Sequence, residues 1–319
     1  MNPFGGELAA QYPTIRLLDS GRSSLRLILK NSKPGQTILL PEYLCPIISE
    51  ICQQYQLIIR YYPIGDDFSI DFSALDFTEC DWFYWIHYFG FFPTDLPISQ
   101  LSQVAVIHDC VFSPFVPPQL QQSTIWYAFT SVRKIMPVAE GSLLLSNQML
   151  STIPAAVNQF AAIKWQGLEQ KAAYRNMSTL NEEIELGYVN KLAQGEQALT
   201  AQQAICNMTD YGLERYHAAM ALQFSTLSAR LAHFQLVNNV FNQYQSQPDF
   251  ACFYPLKIKN NPAELLKKLR ADNFFLPYFW PNREKNSIYY NKFIFIPLAI
   301  SYSEEDLMRL CEKITLYDN

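Results

Sequence analysis

Charge is scarce in this sequence, and the shortage excludes several kinds of protein. Charged residues make up 17% of the 319 positions, against 49% for hydrophobic ones, and the formal net charge is -5. Such a composition can bury a substantial core and is not typical of a disordered chain. The lysines and arginines form no dense cluster or stripe, so we expect no nucleic-acid partner.

Paired cysteines are also missing. The seven cysteines are scattered, odd in number and without a CxxC spacing. This pattern argues against a disulfide framework and against a structural zinc site. We therefore expect no metal, and reduced, buried thiols of the kind found in cytoplasmic proteins.

Long hydrophobic runs are absent as well. The most apolar segment, DWFYWIHYFGFF from Asp81, is too short for a membrane span and contains Asp81 and His87. The first residues lack the basic start and apolar run of a signal peptide. We expect a cytoplasmic protein without a membrane partner.

Helical and extended patterns alternate through the first half of the chain. Apolar residues have helical spacing in SSLRLILK and PIISEICQQ, whereas TILLP, LIIRYY, WFYWI, VAVI, IWYAF and SLLL are short apolar runs. Continuously apolar strands that alternate with helices are typical of an α/β protein, in which helices cover both faces of a mostly parallel sheet.

The second half has a different organisation. Residues 152–176 and 211–245 carry long helical patterns, and the chain then returns to strand, helix, strand and helix. This arrangement predicts two domains, a large α/β domain of residues 1–234 and a small α+β domain of residues 235–319.

The segment SGRSS, from Ser20 to Ser24, opens the first predicted helix. A glycine turn with free backbone N–H groups and hydroxyls at a helix N-terminus can bind an anion. The same residues can also form an ordinary N-cap, and the sequence does not choose between the two.

Two ionisable residues follow predicted strands. Asp109 ends the run VAVIHD, and a carboxylate there either faces the ligand crevice or caps the next loop. Lys134 lies between apolar neighbours at 128–129 and 135–137, which would desolvate its amine, lower its pKa and make it a nucleophile. The alternative is an ordinary surface lysine.

An anion-binding turn, a strand-end aspartate and a lysine are together what pyridoxal 5'-phosphate requires. The phosphate needs an anion site, the protonated ring nitrogen needs a carboxylate, and the aldehyde needs an amine that can later move protons.

Five segments then carry a family resemblance, and they occur in order within roughly the first 150 residues: SGRSSLRLIL, GQTILLPEYLCPIISEIC, IHYFGF, VIHDC and FTSVRKIMPVAEGSLLL. They resemble the DegT/DnrJ/EryC1/StrS family of sugar aminotransferases. The resemblance implies the fold-type I pyridoxal-phosphate transferase fold, with a mostly parallel sheet sandwiched by helices and a smaller C-terminal α+β lobe.

The resemblance also implies site roles. Lys134 would hold the cofactor's aldehyde and act in catalysis, and Asp109 would pair with the pyridine nitrogen. The implied phosphate contacts come from Gly21, Arg22 and Ser23, with a hydroxyl from Ser131 or Thr130.

Two positions depart from the family. Cys45 occupies a place where an aromatic residue often stacks on the cofactor, so Tyr43 or the pair His87–Tyr88 would cover the ring. Phe112 replaces the polar residue that usually follows the aspartate by three positions.

The expected activity is a pyridoxal-phosphate aminotransferase. An amino donor such as glutamate would supply the amine for a nucleotide-linked keto sugar, in polysaccharide or antibiotic-type sugar biosynthesis. The alternatives are a different reaction or substrate with the same cofactor, and a non-catalytic binding protein on the same fold. Family members usually form homodimers, so a second copy of the chain is the expected partner.

Overall fold

A computed structural model describes residues 13–94, 96–153, 156–177, 179, 181–277, 279–280 and 292–318. The strands are β1 (Thr14–Leu18), β2 (Thr37–Pro41), β3 (Ile58–Tyr62), β4 (Trp82–Ile86), β5 (Ala105–Cys110), β6 (Ile125–Thr130), β7 (Ser142–Ser146), β8 (Phe253–Lys257) and β9 (Phe293–Pro297). The helices are α1 (Gly21–Leu29), α2 (Pro46–Gln54), α3 (Ile98–Leu101), α4 (Phe160–Arg175), α5 (Glu182–Ala201), α6 (Asp210–Phe241), α7 (Pro262–Ala271) and α8 (Glu304–Tyr317).

Seven strands form one sheet in the order β1-β7-β6-β5-β4-β2-β3. The strands from β2 to β6 pair in parallel, and β7 and β1 add two antiparallel strands at one edge. Every residue of β4 is buried, as expected for a central strand covered on both faces. The predicted mostly parallel α/β sheet is confirmed.

The strand order places a switch point between β2 and β4. The chain runs outward from β2 to β3, then crosses back over β2 to enter β4 and continues through β5 to β6. Open α/β sheets form a crevice at such a point, outside the carboxyl ends of the strands.

The C-terminal part forms the expected smaller α+β unit. Strands β8 and β9 pair antiparallel, and α7 and α8 pack with them around a core separate from that of the large sheet. A capping box of Ser303 and Asp306 starts α8. Residue 235, the predicted domain boundary, lies inside the 32-residue helix α6, and the boundary itself stays a prediction.

Three details differ from the sequence patterns. The helix predicted for residues 152–176 begins at Phe160, and the patterns predicted neither β1 nor α5. α5 escaped prediction because its buried residues are only Tyr188, Gly195 and Leu199, too few for a clear apolar stripe. Over the described residues, no helix combines the length and apolar character that a membrane span requires.

Candidate active site

A cavity lies at the switch point of the sheet, beyond the carboxyl ends of its central strands. The segments that line it are the start of α1, the β2–α2 loop, the ends of β4, β5 and β6 with the turns that follow them, and the segment between α7 and β9. Its lining residues are Gly21, Arg22, Cys45, Ile47, Ile48, Ile86, Asp109, Val111, Phe129, Ser131, Arg133, Lys134 and Trp280. We call it the strand-end cavity.

Lys134 reaches this cavity from a short 3-10 turn, Val132–Lys134, that follows β6. Its ammonium lies 5.2 Å from the ring centroid of Phe112 and 5.4 Å from that of Trp280. Desolvation lowers the pKa of Lys134, while the negative charge of Asp109 opposes that shift. Lys134 is therefore not the solvated surface lysine that the sequence left open.

Asp109 is buried at the end of β5, on the strand next to that of Lys134. Its Oδ2 accepts a hydrogen bond from the Tyr84 hydroxyl at 2.6 Å, and its Oδ1 accepts one from the Val111 amide at 3.0 Å. Burial raises the pKa of Asp109, and the charge of Lys134 and these two donors act against the rise. The carboxylate thus caps its own loop, as one alternative predicted, and also lines the cavity.

The hydroxyls of the glycine turn point into the protein. The Ser20 side chain caps α1 by accepting from the Ser23 amide at 3.2 Å, and the Ser24 hydroxyl lies 2.7 Å from that of Ser142. The hydroxyl of Ser23 is buried near the Cys206 amide and does not line the cavity. The N-cap interpretation therefore describes the serines, and their role as anion ligands stays a prediction.

Gly21 and Arg22 are the part of the turn that does face the cavity. A Cβ on Gly21 would lie 3.2 Å from Cε2 of Phe129, so a side chain there would crowd the cavity wall. Ser131 also lines the cavity, whereas the Thr130 hydroxyl accepts from the Leu143 amide at 3.1 Å.

Two arginines of the cavity wall share one carboxylate on α5. Glu196 Oε1 accepts from Arg22 at 3.1 Å, and Oε2 accepts from Arg133 at 3.1 Å and from Lys164 at 2.5 Å. Although partial burial acts the other way, the three cations lower the pKa of Glu196 to about 2. The buried Nε of Arg133 has no partner among the described residues. We call these four residues the Glu196 cluster.

The aromatic residues expected to cover a cofactor lie elsewhere. Tyr43 and Tyr88 stack on each other with centroids 5.9 Å apart, and the Tyr88 hydroxyl donates to the Tyr43 carbonyl. Neither lines the strand-end cavity, so the predicted cofactor contact of Tyr88 stays a prediction. The aromatic rings that line the cavity are those of Phe129 and Trp280.

His87 and His108 form a buried pair at the ends of β4 and β5. Nε2 of His87 lies 3.0 Å from Nδ1 of His108, and burial lowers the pKa of both rings, that of His108 to about 3. Two neutral rings that share a hydrogen bond have a packing role.

A second, larger cavity of about 920 Å³ adjoins the first at Ile86. Aromatic rings dominate its wall, among them those of Phe68, Trp85 and Tyr244, and its described lining includes neither lysine nor arginine. An anionic ligand with a reactive carbonyl therefore matches the smaller cavity, which has two arginines, a lysine and a buried carboxylate.

Comparisons with known proteins agree with this arrangement at the level of the fold. No protein-family model and no curated protein matches the sequence. A structure from Streptococcus pneumoniae, described as a sugar aminotransferase and solved in its PMP-form, has a TM-score of 0.65 at 13% identity over 98% of this chain and 89% of its own. A DegT DnrJ EryC1 StrS aminotransferase from Brucella abortus has a TM-score of 0.63 at 11% identity over 99% and 91%.

A third similar structure is 3-amino-5-hydroxybenzoic acid synthase, with a TM-score of 0.61 at 12% identity over 98% of this chain and 89% of its own. Likeness at such low identity identifies the architecture and leaves the chemistry to the residues of the site. The chain therefore has the fold of these aminotransferases, the fold-type I arrangement that the sequence led us to expect.

Proposed function

We propose that this chain is a pyridoxal-phosphate-dependent aminotransferase. The observation that carries the proposal is the convergence of Lys134, Asp109 and a pair of arginines on one cavity at the switch point of the sheet. A lysine, a carboxylate and an anion site are the groups that this cofactor needs, in the fold where it is commonly bound.

The residues present fit the cofactor in kind. Arg22 and Arg133, with the backbone at Gly21 and the hydroxyl of Ser131, would hold the phosphate, and the unpartnered Nε of Arg133 is a donor that an anion could satisfy. Asp109 would take the ring nitrogen, and Lys134 would take the aldehyde. When bound, the cofactor supplies an electron sink that stabilises negative charge on the substrate carbon.

The volume of the strand-end cavity sets one condition on cofactor binding. The free space between the lining side chains is about 50 Å³, less than the several hundred cubic ångströms usual for a ligand pocket. Trp280 contacts Tyr43, Phe112 and Phe279 and lies over Lys134. Binding of the cofactor therefore requires Trp280 to move away from Lys134.

The environment of Lys134 suits proton transfer. Desolvation lowers the pKa of its amine, which favours the neutral form of Nζ that can accept a proton from a substrate carbon. Burial raises the pKa of Asp109, whereas the charge of Lys134 and the hydrogen bonds that Tyr84 and Val111 donate favour its charged form. The apolar rings of Phe112 and Trp280 flank the amine.

For the substrate, we propose an amino donor such as glutamate and a nucleotide-linked keto sugar as acceptor, in polysaccharide or antibiotic-type sugar biosynthesis. The descriptions of similar structures as sugar aminotransferases support this choice. A second candidate keeps the cofactor with another reaction or acceptor. It is favoured by the apolar wall that Phe112 forms beside the amine, where family members usually have a polar residue.

The assembly and location are also proposals. A homodimer is supported by the fact that proteins of this fold usually form homodimers. A cytoplasmic location is supported by the seven cysteines, which are all free and of which six are buried. Sedimentation velocity at several protein concentrations tests the dimer.

The experiment for the proposed activity is a half-reaction. Protein loaded with pyridoxal phosphate is mixed with single amino acids, and the visible absorbance of the bound cofactor is followed. We expect at least one donor, glutamate first, to bleach the visible band, with keto sugars restoring it. Bound cofactor that no amino acid bleaches would favour the second candidate, and protein that takes up no cofactor would favour a non-catalytic binding protein.

A further inference from the structure

We propose that Glu196 is a positioning residue, which holds Arg22 and Arg133 side by side on the cavity wall as a ready-made site for a dianionic phosphate monoester. The inference rests on the proposed function, because it assigns the phosphate of the cofactor as the anion. Glu196 does not line the cavity, so it would act through the two arginines.

The first support is the geometry of the cluster. Separate oxygens of the one carboxylate bind the two arginines, Oε1 to Arg22 and Oε2 to Arg133, each at 3.1 Å. Thr200, one turn further along α5, accepts a second hydrogen bond from Arg22 at 3.1 Å. Both guanidinium groups are thus fixed from the same helix, which reduces the side-chain entropy that anion binding would otherwise cost.

The second support is the construction of α5 around this contact. Lys164 of α4 lies across Gly195 to reach Glu196 Oε2 at 2.5 Å. A Cβ at position 195 would overlap the Cγ of Lys164, so only glycine leaves room for that side chain. Lys164 therefore holds Glu196 in place from the opposite side, and Glu196 is not a surface acid with a chance partner.

The third support is the charge balance. Three cations and one carboxylate leave the cluster with two positive charges. A phosphate monoester carries nearly two negative charges at neutral pH, because its second pKa is about 6. The cluster would be neutralised by one such group.

Removal of Glu196 separates positioning from simple electrostatics, because the two explanations predict opposite changes in the affinity for phosphate. Glu196→Gln makes the cluster more positive, so electrostatics alone predicts tighter phosphate binding. Positioning predicts weaker binding, because both arginines lose the group that orients them. Gly195→Ala displaces Lys164 from Glu196. Both positioning and the displacement of a cation predict weaker phosphate binding in this variant, so the direction of the change in Glu196→Gln is what separates the two explanations.

The test compares pyridoxal phosphate with pyridoxal, which lacks the phosphate, by titrating the visible absorbance of each complex. The measured preference is the ratio of the two dissociation constants. A general loss of structure would weaken the binding of both ligands and leave this ratio unchanged. We expect the preference for the phosphate-bearing ligand to fall about tenfold or more in Glu196→Gln and to fall in Gly195→Ala, the loss expected for charge-assisted hydrogen bonds.

Two variants of the same helix serve as controls. Glu183→Gln removes an exposed acid of α5, and Gly187→Ala adds a methyl group where no atom lies within 4 Å. Both should keep the wild-type preference. A preference that is unchanged or greater in Glu196→Gln would overturn the positioning role. Wild-type protein that binds neither ligand would instead refute the proposed function on which the inference rests.

Discussion

At the scale of single residues, the Tyr84 phenol is one of the groups that favour the charged form of Asp109. Tyr84 and Asp109 are both buried, and the Tyr84 hydroxyl is the side-chain donor to the carboxylate. Burial alone raises the pKa of Asp109 and favours the neutral acid. Tyr84 thereby helps to preserve the negative charge that a protonated ring nitrogen would need.

Tyr84→Phe tests this dependence. Loss of a hydrogen bond to a buried charged group should cost about 1.5–3 kcal/mol of unfolding free energy and raise the pKa of Asp109 further, which would weaken the binding of pyridoxal phosphate. Urea unfolding and absorbance titration measure the two effects. Tyr62→Phe is the matched control, since the buried Tyr62 hydroxyl donates to a neutral carbonyl, that of Tyr84, at 2.8 Å. Equal cofactor affinity in both variants would contradict the account.

Trp280 should affect the rate of cofactor binding, because its ring narrows the space beside Lys134. Trp280→Ala should accelerate the association of pyridoxal phosphate, on the order of tenfold if displacement of the ring limits entry. Stopped-flow absorbance measures the rate, with Phe275→Ala as a control at a side chain that is 68% exposed. An unchanged or slower association would show that the ring does not obstruct the cavity.

At the scale of elements, a glycine fixes the close approach between the turn after β4 and the segment before β8. Gly90 has a φ of +85°, its carbonyl accepts from the Phe250 amide at 3.3 Å, and a Cβ would overlap the Phe250 carbonyl. Gly35 has a φ of +84° with no atom within 4 Å of such a Cβ. The two glycines therefore differ in crowding and not in backbone conformation.

We expect Gly35→Ala to cost about 1 kcal/mol of unfolding free energy, the strain of the left-handed region. Gly90→Ala should cost about 2 kcal/mol more, because the backbone of residue 250 cannot move aside without disturbing its neighbours. Urea unfolding gives both values. Equal losses would mean that the two segments are not held against each other at Gly90.

The attachment of α5 should depend on pH through Glu196. The folded-state pKa of Glu196, about 2, lies below its ordinary value of 4.5. The stabilisation from its ion pairs is therefore fully present above about pH 4.5 and is lost as the pH falls toward 2. Because the Glu196 side chain is 42% exposed, screening by solvent keeps the effect small. The unfolding free energies of wild type and Glu196→Gln should differ more at about pH 6 than at about pH 3, and a constant difference would contradict the ion-pair account.

Sequence patterns predicted elements well where burial is continuous. The runs that became β2 to β7 are short and apolar, and Ser20 and Gly21 start α1 as predicted. The patterns did not reveal α5, whose few buried residues give no stripe, or β1, which pairs with β7 across more than a hundred residues. Long-range pairing of that kind leaves no local pattern to read.

At the scale of the whole molecule, the topology of the sheet brings together site residues of which the sequence shows only the order along the chain. Lys134, Asp109 and Gly21 were recognisable because each follows a motif, and the sheet brings all three to one cavity. Glu196 and Lys164 were not recognisable, because helix packing brings them from distant parts of the chain to Arg22 and Arg133 in the cavity wall. Glu196 lies on a polar helix, and Arg22, its partner, is 174 positions away along the chain. No local sequence pattern indicates such a pair.

The C-terminal α+β unit also contributes to the site. Trp280 lines the cavity formed by the ends of β4, β5 and β6, although it comes from the segment between α7 and β9. A change in the position of Trp280 would therefore alter access to Lys134.

The central claim is that Lys134 binds pyridoxal phosphate covalently. The most direct measurement is reduction of the cofactor-loaded protein with borohydride, followed by mass spectrometry of its peptides, on wild type, Lys134→Ala and the exposed-lysine control Lys171→Ala. We expect a visible band and a reduced adduct on Lys134 in wild type and in Lys171→Ala, with neither in Lys134→Ala. A band of equal strength in Lys134→Ala, or an adduct on another lysine, would contradict it.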